Sequence, residues 1–401
     1  MRVVLKYGGT SVATPEKIKS IAEYIIRLKK ESSDEIVVVA SAMGKTTDEL
    51  IARAKEFSPV PDQRELDSLL STGEQQTIAY LAIALIEKGQ PAISLTGYQA
   101  QVETTGIHTK SKIKNIGVEK IERHLAEGKV VLVAGFQGIN EAGDITTLGR
   151  GGSDTSAVAL AASLRCECRI YTDVDGIYSV DPRIYPDAKP LSHISYEEMM
   201  EMALLGAGVM ETRAVEIGKK YGVIIYVGKS LSESGGTYIM EKGYGLEDKL
   251  ITGISVTKEI LVASISNVAY SVQTIAKIFD ITTEAGININ MITQNITKDN
   301  ILELSFSVAV NEKYLLDQAV EKLKKDLPRA TVSFADNLGM ISVVGVGMAN
   351  STGVASRFFS ALSAAGVNFY QVTTSEISIS CSIDRENLNK AVQVTAKAFN
   401  L

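Results

Sequence analysis

The first eleven residues already narrow the folds open to this chain. An apolar run, Val3-Val4-Leu5, passes through Lys6 into Gly8-Gly9-Thr10-Ser11. This reads as a buried strand ending in a loop almost free of side-chain bulk. Backbone N–H groups can close on an anion there, and the hydroxyls add donors. Apolar residues at Ile18, Ile21, Ala22, Ile25 and Leu28, with Pro15 near the start, predict a helix whose positive end points at the same loop. Lys6 lies on the strand side of the glycines, whereas a Walker P-loop carries its lysine after them. The loop is therefore a phosphate cradle of another make.

A second glycine-rich segment repeats the arrangement. Strand-like Val130–Ala134 comes first, then Thr146-Thr147-Leu148-Gly149-Arg150-Gly151-Gly152-Ser153-Asp154, then a small-residue helix over 155–164. Ser153 or Asp154 is the expected N-cap of that helix. Arg150 stands between glycines with little to pack on, and its planar fork suits a carboxylate or phosphate held in two bonds.

With KYGGTSV at 6–12, SAMGKTTDEL at 41–50, LLSTGEQ at 69–75 and TDVDGIYSVDPR at 172–183, these segments together resemble the aspartokinases of the amino-acid-kinase family. The resemblance runs from the first motif to the last residue. It implies ATP-dependent phosphorylation of the β-carboxylate of L-aspartate to 4-phospho-L-aspartate, with magnesium entering on the nucleotide. This is the first step of the aspartate pathway to lysine, threonine and methionine, under feedback from an end product. Other kinases of the same fold, or a sensor with a dead kinase domain, lack support in the retained motifs.

Composition agrees with a cytoplasmic enzyme. A net charge of −6 argues against a nucleic-acid surface. No apolar stretch approaches ~18 residues, and the N-terminus has no basic-then-apolar signal pattern. Cys166, Cys168 and Cys381 have no zinc spacing and are expected to be packing residues. His108, His124 and His193 are scattered, which points to surface or capping roles.

Short apolar runs at 36–40, 92–95, 130–134, 169–172 and 223–227 alternate with helical periodicity. The alternation predicts an α/β domain, a parallel-rich sheet covered by helices on both faces, with ligands beyond the carboxyl ends of the strands. A composition shift from Ser232 to Gly245 ends this region near residue 245. Beyond it the chain repeats at an offset of 80: Phe279 matches Phe359, Ala285-Gly286 matches Ala365-Gly366, Asn288 matches Asn368, and Thr293 matches Thr373. Each copy reads as a βαββαβ unit of an α+β fold. The pair resembles the tandem ACT regulatory domains of aspartokinases, in which one copy is inserted into the other. By that resemblance the catalytic domain spans 1–245, the first ACT domain 264–335, and the second 250–263 plus 336–401.

Making an acyl phosphate asks for positioning and charge neutralisation rather than a protein nucleophile. Lys6 is the candidate to meet the charge of the transferring group, while Gly8, Gly9, Thr10 and Ser11 hold phosphates. An aspartate site needs a cation, an anion and neutral donors. Arg150, flanked by Gly151 and Gly152, supplies the cation for the α-carboxylate; Glu74 and Asp154 can pair with the ammonium; Ser41 and Thr47 offer hydroxyls. Motif position carries Glu74 and Thr47, since both also read as helix-start residues. Thr172, Asp173 and Tyr178, with Asp181 and Arg183, are the expected nucleotide residues, whereas Asp175 reads as a turn aspartate. Two positions depart from the family: Gly208 stands where many relatives have a lysine of the nucleotide site, and Glu211 where they often have histidine. No protein metal site is expected, because magnesium is held chiefly by phosphates and water.

The tail resembles that of the lysine-sensitive homodimeric aspartokinases more than that of the threonine-responsive ones. Asn267–Gln273 lacks the proline and glycine usual where the first ACT strand meets its helix. The implied effector is L-lysine. Its site is expected from Val268, Ser271, Thr274 and Ile275 at the helix start and from Ile289, Asn290, Gln294 and Asn295 along the next strand. Homodimers or dimers of dimers through the ACT domains follow from the same resemblance.

Overall fold

The structure is a computed structural model that describes residues 2–32, 35–232, 235–241 and 250–401. It divides into two compact units. Residues 1–178, 190–203 and 208–245 form the first; 179–189, 204–207 and 246–401 form the second. The boundary expected near residue 245 falls outside the described residues.

The first unit runs β1 (Arg2–Tyr7), α1 (Pro15–Ser32), β2 (Glu35–Ala40), α2 (Thr46–Phe57), α3 (Gln63–Leu70), α4 (Thr72–Glu87) and β3 (Ala92–Leu95). Next come β4 (Val102–Thr105), β5 (Lys112–Ile116), α5 (Glu119–Ala126), β6 (Val130–Ala134), β7 (Gln137–Ile139), β8 (Ile145–Thr147) and α6 (Gly152–Leu164). It closes with β9 (Glu167–Thr172), β10 (His193–Ser195), α7 (Tyr196–Leu204), α8 (Thr212–Tyr221), β11 (Ile225–Lys229) and β12 (Thr237–Met240). Eight strands make the main sheet in the order β10-β12-β11-β9-β1-β2-β6-β3. All its pairings are parallel except β11 with β12.

Helices on both faces explain why the central strands are apolar along their whole length: β2 and β6 are buried from Ile36 and Val130 onward. On one face α1 buries Ile18, Ile21, Ala22 and Ile25 into the cluster that also holds Ile78, Leu81 and Leu85 of α4. Truncating one such isoleucine or leucine to alanine costs about 2–5 kcal/mol. In-register parallel pairing puts the strand ends on one rim: Tyr7 pairs with Ala40 and Tyr171, Ala40 with Ala134, and Thr172 with Lys229. The glycine loops leave from that rim. A separate sheet, β5-β4-β7-β8, was not anticipated from the alternation; its strands are three to five residues long.

The second unit runs β13 (Gly253–Ala269), α9 (Val272–Glu284), β14 (Met291–Ile296), β15 (Ile301–Ala309), α10 (Lys313–Asp326) and β16 (Thr331–Val344). After these come α11 (Val354–Ala364), β17 (Phe369–Thr374), β18 (Ser378–Asp384) and α12 (Leu388–Phe399). One antiparallel sheet, β14-β15-β13-β16-β18-β17, serves both repeats. Strands β13 and β16 pass from one repeat into the other, with register shifts between Thr257 and Val262. Two cores result. Leu261, Ala263 and Ile265 pack with Ile278, Ile281, Phe306 and Leu316; Ile254, Ile341 and Val343 pack with Phe358, Leu362, Cys381 and Val392. Both matched Ala-Gly pairs end their helices, with Gly286 at φ +73° and Gly366 at φ +65°, the left-handed region that glycine enters freely.

Candidate active site

The two glycine loops and the start of α2 meet at the rim of the main sheet. Gly9 lies so close to the 41–44 turn that a Cβ on it would stand 2.9 Å from the Ala42 carbonyl oxygen, and its own carbonyl accepts from the Gly44 N–H at 3.0 Å. Ser41 Oγ and Ser153 Oγ share a hydrogen bond of 2.9 Å, which joins the second glycine loop to the same turn. Gly9, Ser41, Ala42, Gly44, Thr47, Glu74, Phe136, Gly149, Arg150, Gly151, Gly152 and Ser153 line one cavity of about 230 Å³. Every aspartate-site residue expected from the sequence, Asp154 excepted, is on that wall.

Asp154 faces Lys6 instead. Lys6 Nζ and Asp154 Oδ1 are 2.5 Å apart, with the two side chains 9% and 13% exposed. The acid thus holds the lysine at the end of its strand. Asp154 is in the first turn of α6 and does not cap it. The cap is Gly151, at φ +66°, and it makes no side-chain bond. The expected Ser153 or Asp154 cap is therefore incorrect. The left-handed residue that turns the chain into the helix comes first, and a Cβ there would press into the Glu211 side chain at 2.6–2.8 Å. Glu211 adds a further acid. Burial and then the charge of Asp154 push its carboxyl up, while Arg213 and Arg150 oppose the shift.

Glu74 sits in the first turn of α4 and is 3% exposed. Its Oε1 accepts from the Ala42 N–H at 3.1 Å; its Oε2 has no hydrogen-bond partner among the described residues. Burial pushes its carboxyl up to about 7, against the pull of the backbone donors of Glu74 and Ala42. Arg150 is exposed at the mouth of the same cavity. The site thus offers a cation, an anion with an open oxygen, and hydroxyls at Ser41 and Thr47.

A second cavity, about 240 Å³, lies on the other side of the first glycine loop. Thr10, Ser11, Lys17, Thr172, Asp173, Lys229, Ser230 and Leu231 line it. Thr172 and Asp173 were expected there. Lys17 and Lys229 were not, because a lysine on a helix or at a strand end reads as solvated; only the pairing of Lys229 with Thr172 brings it to the rim. Tyr178 makes an isolated bridge with Pro190. Asp181 and Arg183 belong to the second unit, where Arg183 donates to both carboxylate oxygens of Asp181 and holds its carboxyl below the usual range. Asp175 lies 3.6 Å from Lys229 Nζ rather than bonding only its own turn. A larger cavity, about 560 Å³, lies against α6, α8 and β5. Lys114 there is paired with Glu141 and Arg213 with carbonyl oxygens, so it carries none of this chemistry.

Among the described residues no cluster of three or more His, Cys, Asp or Glu could hold a metal ion, and no helix is long and apolar enough to cross a membrane. Cys168 and Cys381 are buried, and Cys166 is half-buried. Of the histidines, His193 is at the surface, but His124 is buried beside Glu127 and His108 bonds the buried Asp67. Surface or capping roles fail for those two.

In the second unit Ser271 caps α9, accepting from the Thr274 N–H at 3.0 Å. Val268 is buried in the first core, where Ile275 and Ile289 also pack; Asn295 donates to Glu303 at 3.2 Å. Strand register separates this expected set. Ile296 is level with Leu302 and Val268, beside the Ser271 end, whereas Asn290 bonds Ser307, which is level with Val262. At about 3.3 Å per residue, Asn290 and Ser271 of one chain stand roughly 25 Å apart, too far to grip one amino acid.

A family model described as the amino acid kinase family matches residues 1–229, and one described as an ACT domain matches 341–399. The chain is 44% identical over 400 residues to an aspartokinase of Bacillus sp. (strain MGA3), covering 100% of this chain and 97% of that one. An aspartokinase of Geobacillus stearothermophilus is also 44% identical over 400 residues, with the same coverage. Among solved structures, E. coli aspartokinase III in complex with aspartate and ADP is similar in fold, with a TM-score of 0.82 at 22% identity over all of both chains.

Proposed function

The chain belongs to the aspartokinases, and from that premise we propose how its residues divide the work. Aspartate enters the cavity under Arg150. The guanidinium takes the α-carboxylate in two bonds, and the open Oε2 of Glu74 takes the ammonium. Ser41 and Thr47 offer hydroxyls to the carboxylate that reacts. ATP approaches from the other side of the Gly8–Ser11 loop, with Lys17, Thr172, Asp173 and Lys229 around it. The β-carboxylate attacks the γ-phosphorus in line, and negative charge builds on the transferring group. Lys6 meets that charge from the end of β1. Asp154 holds the lysine in place beforehand, so little reorganisation is needed at the moment of transfer. Magnesium, on this reading, arrives with ATP and neutralises phosphate charge.

The observation that carries the reading is the buried Glu74 oxygen left without a partner in a cavity that also holds Arg150 and the phosphate loop. Such an acceptor awaits a donor, and an ammonium is the donor that also repays its desolvation. A coupled assay of ADP release tests it. Aspartate should support turnover, and glutamate or no acceptor should not; no release above background with aspartate, ATP and magnesium would overturn it.

The domain limits stay as proposed from the sequence: catalytic 1–245, first ACT 264–335, second ACT 250–263 with 336–401. We assign L-lysine as the effector. Strand β14 ends the sheet, with β15 as its one hydrogen-bonded neighbour among the described residues. Two copies paired edge to edge about a two-fold axis would bring the Asn290 end of one beside the Ser271 and Asn295 end of the other. One site could then draw on residues that a single chain keeps apart. Calorimetry on the intact chain should show heat for lysine; heat for threonine alone would overturn the effector.

A further inference from the structure

Asp67, in the middle of α3, has no exposed surface, and the reaction as derived gives it no part. Both its oxygens are engaged. The Thr109 N–H donates to Oδ1 at 3.1 Å and to Oδ2 at 3.0 Å, the Thr147 hydroxyl donates to Oδ1, and His108 Nδ1 lies 2.8 Å from Oδ2. Thr109 is held at φ +65°, a region that a β-branched residue enters only when its surroundings compel it. Its carbonyl oxygen is the atom that a Cβ on Gly149 would meet, at 3.1 Å. Thr147 ends β8, directly before the loop that carries Arg150.

From the opposite side, Arg213 of α8 donates to the Leu148 carbonyl at 2.8 Å and to the Ser111 carbonyl at 3.1 Å. The Ser111 N–H in turn donates to the Thr147 carbonyl at 3.0 Å. An anion from α3 and a cation from α8 thus fasten the same two segments, 108–111 and 147–148, to each other. Helix α3 runs through Ser71 into α4 and Glu74, so Asp67 also ties these segments to the element that bears the cavity's acid.

We propose that Asp67 and Arg213 are positioning residues that fix the Gly149–Gly151 loop, and so set the span between Arg150 and Glu74 that the carboxylate and ammonium of an α-amino acid must bridge. The inference rests on Arg150 as the α-carboxylate ligand. Neither residue touches substrate. Each acts through the backbone of a loop whose cation, Arg150, is exposed.

Steady-state kinetics of the full chain test it, with Asp67→Asn, Thr147→Val, Arg213→Met and Arg213→Lys. Each of the first three should raise the aspartate KM about tenfold, with kcat and the ATP KM within about twofold. Arg213→Lys, which can keep one carbonyl bond, should fall between wild type and Arg213→Met. In an Arg150→Ala background the same changes should add nothing further to the aspartate KM. A lowered melting temperature or kcat with an unmoved aspartate KM, while Arg150→Ala raises it, overturns the proposal alone. An Arg150→Ala chain with an unmoved aspartate KM overturns the carboxylate reading and this inference with it. Should Asp67→Asn fail to fold, the Arg213 pair decides.

Discussion

Two carboxylates seven residues apart, Asp67 on α3 and Glu74 on α4, meet opposite fates in similar burial. Asp67 is saturated: a backbone N–H, a hydroxyl and an imidazole occupy it, and it serves the fold of the loop beside it. Glu74 keeps one oxygen bare and faces a cavity, and burial pushes its carboxyl up to about 7. Burial alone therefore does not mark a functional acid. What separates the two is the unspent hydrogen-bonding capacity, which is stabilising when filled by the protein and costly when reserved for a ligand.

The largest effect expected lies with neither acid. Lys6→Ala should lower kcat by a factor of about 10³ with the aspartate KM nearly unchanged, because its charge matters most when the phosphoryl group is in transit. Equal losses in kcat and aspartate affinity would place Lys6 in the amino-acid site beside Glu74 and blur the contrast. Second comes Glu74→Gln. It should cut kcat/KM for aspartate by about a hundredfold at pH 8, since a neutral amide cannot pair with an ammonium. In the wild type, kcat/KM for aspartate should fall as pH drops below about 7, as Glu74 takes up a proton. A flat profile between pH 6 and 8 would contradict the role given to this acid.

Stability should separate the two carboxylates by sign. Folding raises Glu74 from an ordinary 4.5 to about 7, so between those values the folded chain holds a proton that the unfolded chain has released. Stability then falls as pH climbs through that window, and above pH 7 the penalty is complete. Glu74→Gln should remove it, a gain on the order of 3 kcal/mol at pH 8 that vanishes near pH 4. Asp67→Asn turns one acceptor oxygen into an NH2 that faces donors and should cost about 1–3 kcal/mol. Denaturant melts of the two variants at pH 8 check both directions, and shifts of the same sign would break the comparison. The smallest effect is expected at Gly208, where an added Cβ would meet nothing within 4 Å. Gly208→Lys, which places there the lysine implied by the family resemblance, should lower the ATP KM a few-fold, by about 1 kcal/mol. An unchanged ATP KM would remove that edge from the nucleotide site.

The open acid was legible in the sequence and the saturated one was not. Glu74 stands in a motif whose neighbours announce it, as do Lys6 with its glycines and Arg150 between its own. Asp67 lies only two residues before LLSTGEQ, but its partners are 41, 42 and 80 residues further on, and no local pattern points to them. The same limit hid Lys229, whose place depends on strand register, while Lys17 on α1 reads as a solvated helix lysine. It also misled the reading of α6, where a left-handed Gly151 precedes the polar residues that looked like caps. In the second unit the repeat was readable because matched glycines end matched helices. The split of the expected effector residues was not, since it follows from β14 and β13 running parallel with β15 between them.

If the Glu74 cavity presents aspartate to a phosphoryl group held at Lys6, the product is an acyl phosphate. Trapping the product with hydroxylamine tests it most directly, because an acyl phosphate yields a hydroxamate and a phosphate ester or free phosphate does not. The wild-type chain should yield aspartyl hydroxamate in step with ADP, and Lys6→Ala neither above background on the same timescale. ADP released without hydroxamate would contradict an acyl phosphate product.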